Sequence, residues 1–264
     1  MAAETAKNPR EVHPRVDMSF GICSPSHRRR VGVPSYRLRV EIVLLRHGQP
    51  EWVKDGLCVV DPPLNANGFA QAERLGAALG ADHFDEFYVS PLLRARQTAA
   101  PLAQRLGRKP DIEHWLEECR EPAWHGEPAE VAANAYAAER LLHPDERWAG
   151  INGGESMRDF TTRIHRGLTN FLAERGIRRV PSELPLWDID EPGRVVAWMA
   201  HGGTNTVAIS HLLGFTPVPW EWDRFRVGHA SICRLAALPV QNYFTFSLTR
   251  LSGVEHLPDE LRTI

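Results

Sequence analysis

Cysteine is scarce in this chain of 264 residues. There are four, Cys23, Cys58, Cys119 and Cys233, far apart and without a CxxC pair. That spacing excludes a disulfide framework and a zinc ribbon, and it reads as the reduced thiols of a cytoplasmic protein. Long apolar runs are missing as well. The longest, Val195 to Ala200, is far too short to span a bilayer, and no apolar stretch near the N-terminus forms a secretory signal. Charge of one sign does not prevail: 31 Lys and Arg stand against 33 Asp and Glu, so nothing marks a nucleic-acid binder. The nucleotide-binding loops GxxxxGKS/T and GxGxxG do not occur, and neither do the serine-hydrolase elbow GxSxG or the zincin helix HExxH.

What is present is unevenly spread. Residues 1–40 carry eight Lys and Arg against three Asp and Glu, which leaves 23 against 30 in the remainder. Residues 1–39 hold the run His27-Arg28-Arg29-Arg30, many turn formers and no apolar period, which predicts a disordered basic extension. Met18 is an alternative start. From residue 40 to about 250 strand and helix signals alternate. Strands are expected at 40–45, 86–89, 195–200, 231–238 and 243–248, and helices at 68–79, 92–106, 128–142, 156–175 and from 202 to Leu213. This predicts an α/β domain with a mostly parallel sheet covered by helices on both faces. Residues 178–194, punctuated by Pro181, Pro185 and Pro192, read as a long connection, either a lid or a surface insertion. Residues 251–264 read as a polar C-terminal tail.

Two of the strands end alike. Leu44-Leu45 runs into Arg46-His47-Gly48, and Met199-Ala200 runs into His201-Gly202-Gly203. Ligands of parallel sheets sit at the carboxyl ends of the strands, so the two histidines are candidates for one pocket. A third strand ends before Ser90-Pro91-Leu92-Leu93-Arg94-Ala95-Arg96. Arg94 and Arg96 are two residues apart on a helix, so only one of them faces inward. Two guanidinium forks with helix N-terminal amides suit a dianionic tetrahedral oxyanion, above all phosphate. A neutral imidazole beside them is a nucleophile toward phosphorus, because neighbouring positive charge keeps its lone pair free. The same arginines repel a cation, so no metal and no cofactor are expected.

These residues resemble the histidine phosphatase superfamily, the phosphoglycerate-mutase-like proteins. Arg46-His47-Gly48 is similar to the RHG signature. Pro63-Leu64 to Gly68 with Gln71-Ala72 resembles the segment PLTxxGxxQA, and Ser90 to Ala99 resembles SPLxRAxQTA. Gly153-Gly154-Glu155-Ser156, the second histidine block at 196–203, and Leu212-Leu213-Gly214 follow in family order. The resemblance implies the phosphoglycerate-mutase-like three-layer sandwich. It implies His47 as the phosphorylated nucleophile, Arg46 and Arg94 as the phosphate clamp, and His201 with Gly202 as further phosphate contacts. The block LxExxxGxWEG aligns with Leu116 to Gly126 and places the proton donor on Glu118. Pro122 and His125 depart from that pattern, so Glu117 and Glu121 stand as alternatives.

After the signature, Pro50-Glu51-Trp52-Val53 supplies neither the hydroxyl nor the Asn that the mutases carry there. The expected activity is therefore a metal-independent phosphomonoesterase acting on a small phosphorylated metabolite through a phosphohistidine. Mutase-type phosphoryl transfer and a non-catalytic phosphate-binding adaptor are the alternatives. The expected partner is that small substrate, with neither nucleic acid nor membrane; a homodimer is allowed, with no motif that demands it. Trp52, Trp124, the 143–152 segment with Trp148, and the 178–194 connection with Trp187 are candidates for the rim that reads the rest of the substrate.

Overall fold

The computed structural model describes residues 40–264, so the expected basic extension over 1–39 lies outside the described residues. In chain order the elements are β1 (Glu41–Arg46), β2 (Val53–Lys54), β3 (Leu57–Cys58), α1 (Ala66–Leu79), β4 (Glu86–Val89), α2 (Leu93–Leu106), β5 (Asp111–Ile112) and α3 (Ala129–Arg140). They continue with α4 (Met157–Ala173), β6 (Ile177–Arg179), β7 (Trp187–Ile189), β8 (Val195–Ala200), α5 (Gly202–Leu213), the single turn α6 (Glu221–Arg224), β9 (Ile232–Val240) and β10 (Tyr243–Gly253). Eight strands form one sheet in the order β5-β4-β8-β1-β9-β10-β7-β6. Its first four strands are parallel, and from β9 onward the neighbours pair antiparallel.

Period-two alternation splits each central strand between two cores. Ile42 and Leu44 of β1, with Val196 and Trp198 of β8, pack under α4 and α5. Val43 and Leu45, with Ala197 and Met199, pack under α1 and α2. The helices match: α4 buries Phe160, Ile164, Leu168 and Phe171 on one stripe, as its 3–4 spacing requires. The result is the expected three-layer arrangement.

The 178–194 connection is corrected. It forms strands β6 and β7 at the far edge of the sheet, and the burial of β7 alternates so that Trp187 points inward, fully buried, 5.4 Å from the Phe246 ring. It is neither lid nor rim. The polar tail is corrected as well: β10 runs to Gly253, Leu257 is buried, and Val254 and Leu261 pack on the α1–α2 core. Three apolar side chains in fourteen residues were enough to anchor a segment whose overall composition is polar.

Candidate active site

The register of the sheet builds the site. Arg46 pairs with Ala200 across β1 and β8, and the His47 amide donates to Ala200 O (3.0 Å). The next residue of each strand is a histidine, so the His47 and His201 rings stand with centroids 5.0 Å apart. On the other side of β8, Val89 pairs with Met199, and the Ser90 amide donates to Met199 O. Ser90 is thereby set beside His201, with Oγ 2.7 Å from Nε2. The loop after β1 is pressed against the start of α1: a Cβ on Gly48 would lie 2.6 Å from Gly68 O, and a Cβ on Gly68 would collide with Gln49 O. Only glycine at both positions permits that approach.

Hydrogen bonding fixes the imidazoles. His47 Nδ1 donates to Gly48 O (2.7 Å), which leaves the lone pair on Nε2. Burial, reinforced by Arg94, His201 and Arg46, holds the His47 pKa well below the ordinary histidine value, so the ring is neutral. Burial likewise lowers the His201 pKa, with Arg94 and Arg46 adding to the effect. Ser90 Oγ also accepts from the Leu92 amide (3.4 Å), which fixes the hydroxyl beside the His201 ring.

The two arginines differ in their anchors. Arg46 donates through Nη1 to Val227 O and through Nη2 to His229 Nε2 (3.1 Å). Burial brings the Arg46 pKa down to about 10, with Arg94 lowering it further and Glu118 opposing, so it stays charged at neutral pH. Arg94, on the first turn of α2, is buried and Arg96 is exposed, as the helical spacing demands. Arg94 lies 3.6 Å from Asp61 and under the Trp52 ring, 4.8 Å from its centroid. Three buried nitrogens here, Arg46 Nε, Arg94 Nε and His201 Nδ1, have no protein partner. Buried polar nitrogens are seldom left so, and a cluster of them marks where a ligand completes the hydrogen bonding. Gly202 opens α5 beside them; a Cβ there would meet Arg46 Nε at 3.4 Å.

Glu118 reaches the same corner from the segment after β5. Its carboxylate accepts the amides of Gly203 (2.9 Å), Thr204 (3.2 Å) and Cys119 (3.0 Å), so a side chain of the protein occupies the α5 N-terminus. A Cβ at Gly203 would meet Glu118 Oε1 at 2.6 Å, which explains the second glycine after His201. The alternatives at this position are otherwise engaged: Glu117 pairs with Arg120 (3.1 Å) and His114, and Glu121 accepts from the Tyr136 hydroxyl (2.6 Å). Burial pushes the Cys119 thiol up to about 12, so the one cysteine in the cleft is no nucleophile. Among the described residues no group of three or more His, Cys, Asp or Glu is placed to hold a metal ion, and no helix is long and apolar enough to cross a membrane.

Arg46, Arg94 and Glu118 lie in a cleft of about 470 Å³, walled by Trp52, Tyr136 and Trp222. Of the rim candidates Trp52 belongs there. Trp124 is buried against Tyr136, and Trp148 packs on the core under Arg158, so neither reaches the cleft. Tyr136 of α3 and Trp222 of α6 take their place. Sequence reasoning also missed His229, buried with its ring 5.7 Å from that of His47. Its signal is the strand it precedes: β9 runs antiparallel to β1, so its start lies beside the end of β1.

The model of the histidine phosphatase superfamily (branch 1) matches residues 42–244, and the chain belongs to that family. It is 30% identical over 183 residues to a glucosyl-3-phosphoglycerate phosphatase of Mycobacterium tuberculosis, covering 68% of this chain and 78% of that one. It is 28% identical over 205 residues to a 2,3-bisphosphoglycerate-dependent phosphoglycerate mutase of Brucella anthropi, covering 74% and 92%. A solved structure of mycobacterial glucosyl-3-phosphoglycerate phosphatase with inorganic phosphate matches with a TM-score of 0.60 at 28% identity, over 83% of this chain and 99% of that one.

Proposed function

We propose that the protein hydrolyses a small phosphate monoester in two displacements, with His47 as the nucleophile. The observation that carries this reading is the His47 imidazole, kept neutral by burial and the nearby Arg94 and Arg46 and oriented by Nδ1–H donation to Gly48 O, beside three unpartnered nitrogens on Arg46, Arg94 and His201. In the first step His47 Nε2 forms a bond to phosphorus and the ester P–O bond breaks. Glu118 gives its proton to the departing oxygen, and Arg46, Arg94 and His201 hold the equatorial oxygens where charge spreads. In the second step water attacks phosphorus, its proton returns to the Glu118 carboxylate, and the P–N bond breaks to release inorganic phosphate. No metal enters either step.

Hydrolysis is favoured over transfer by the segment after the signature. Pro50 and Val53 stand there and supply neither the hydroxyl nor the amide that would add a polar contact to the phosphate. The leaving group lies in the cleft among Trp52, Tyr136 and Trp222, and phosphorylated acids of the kind named in its relatives are the first substrates to try. The free thiols Cys58, Cys119 and Cys233 suit a cytoplasmic location. The test is turnover of a panel of sugar phosphates, phosphoglycerates and phosphoamino acids. His47→Ala is expected to lose at least on the order of 10⁴-fold in kcat on every substrate that the unaltered enzyme hydrolyses. Retention of turnover in His47→Ala sinks the reading.

A further inference from the structure

The segment that carries Glu118 has little regular structure of its own. Between β5 and α3 it makes one 3₁₀ turn at His114–Leu116, and no strand pairs with Glu117, Glu118 or Cys119. Its backbone is held instead by side chains, chief among them Arg163. Arg163, on the second turn of α4, donates through Nη1 to Trp115 O (3.3 Å) and Glu117 O (3.1 Å), and through Nη2 to Glu118 O (3.2 Å). The same guanidinium makes a two-pronged pair with Glu155, Nε to Oε1 and Nη2 to Oε2, each 2.8 Å. Glu155 adds its own grip: Oε2 accepts the Arg120 amide (3.2 Å), and its amide donates to Arg120 O (2.8 Å).

We propose that Arg163 and Glu155 are positioning residues that set the Glu118 carboxylate for proton transfer to the leaving oxygen. The inference rests on Glu118 being the acid. Arg163 does not line the cleft, and its hydrogen bonds go to the segment it holds and to Glu155. A pair this enclosed, with side chains 20% and 9% exposed, is a weak source of stability, because desolvation offsets most of its attraction. Its geometric yield is larger. A guanidinium fork is planar and rigid, so bonding three carbonyls while locked to Glu155 fixes the peptide planes on both sides of Glu118. Thr204 Oγ1 bonds Glu117 O (3.0 Å) and thereby ties the same planes to the helix whose amides meet the carboxylate. Proton transfer depends on placement within hydrogen-bond reach, so a small rotation of these planes falls on the acid step first.

The experiment compares kcat/KM for a dinitrophenyl phosphate, whose leaving group departs without a proton, with that for a simple alkyl phosphate, whose leaving group needs one. In Arg163→Met the loss is expected to be on the order of 10²-fold on the alkyl ester and under about threefold on the dinitrophenyl ester. Arg163→Lys, which keeps the charge without the fork, is expected to show the same dependence at smaller size and serves if the Met variant does not fold. Equal losses on the two esters, or no loss on either, overturn the inference. Glu118→Gln on the same esters separates the two levels. If it discriminates between the esters and the Arg163 variants do not, the positioning role fails alone; if it does not discriminate, the acid assignment fails and takes the inference with it.

Discussion

Arg46 Nη2 lies 3.1 Å from His229 Nε2, so a neutral imidazole holds the arginine at the heart of the site. His229 in turn donates through Nδ1 to Thr263 Oγ1 (2.9 Å), which also accepts from Gln71 Nε2 (2.9 Å). A carboxylate in the place of His229 would orient the guanidinium equally well and cancel its charge. The imidazole orients it and leaves the charge for a phosphoryl group. His229→Ala is expected to weaken inhibition by inorganic phosphate about tenfold, on the order of one hydrogen bond to a charged group. His229→Asp, which restores an acceptor but adds a negative charge, is expected to weaken it further. An unchanged inhibition constant in His229→Ala refutes this arrangement.

The same histidine makes stability depend on pH. Burial, helped by Arg46, brings the His229 pKa down to about 3, against an ordinary value near 6.5 in the unfolded chain. Between these values the unfolded chain binds the proton and the folded chain does not, so stability falls as pH drops from about 6.5 toward 3. Each such histidine removes about 1.4 kcal/mol per pH unit in that window. Urea midpoints followed from pH 7 to pH 4 are expected to fall less steeply in His229→Asn than in the unaltered protein. Equal slopes contradict the neutral assignment.

Arg94 and Arg96 test the inward and outward faces of one helix. Arg94→Met is expected to reduce kcat by about 10²–10³-fold, the usual cost of removing a donor to developing charge. Arg96, exposed, is expected to tolerate the same change within about twofold. Comparable losses in both variants would show that the first turn of α2 is oriented otherwise.

Chelation is expected to leave turnover intact. On the proposed route the nucleophile is a nitrogen of the chain, and the charge around it, Arg46 and Arg94, is of the wrong sign to share the corner with a cation. Loss of activity on chelation, restored by an added divalent ion, argues against the phosphohistidine route.

The parts of the site legible in the sequence were those that follow directly from strand ends. Arg46-His47-Gly48 and His201-Gly202-Gly203 each terminate an apolar run, and the register of β1 on β8 joins them. The third strand end and helical spacing narrowed the second arginine to Arg94 or Arg96, and the resemblance to SPLxRAxQTA chose Arg94. His229 was hidden because it is joined to the site by antiparallel pairing of β9 with β1, a contact between residues far apart in the chain. Tyr136 was hidden for another reason: α3 buries no residue, so its pattern does not say which side faces the cleft. Strands β6 and β7 have three residues each, too short for a period to emerge among the prolines around them. The last residues escaped notice because a few buried side chains and two hydrogen bonds, from the Gln71 side chain to Leu261 O and from the His229 amide to Thr263 O, are enough to seat them.

The central claim is that phosphorus becomes bonded to His47 during turnover. The most direct measurement is rapid mixing of the enzyme with a labelled phosphate monoester that it hydrolyses, a quench in alkaline denaturant, and mapping of the retained label. Phosphohistidine is expected to survive alkali and be lost in acid, to form no more slowly than product in steady state, and to map to the peptide holding His47. It is expected to be absent from His47→Ala. Turnover without any alkali-stable label, or the same label in His47→Ala, would contradict the account.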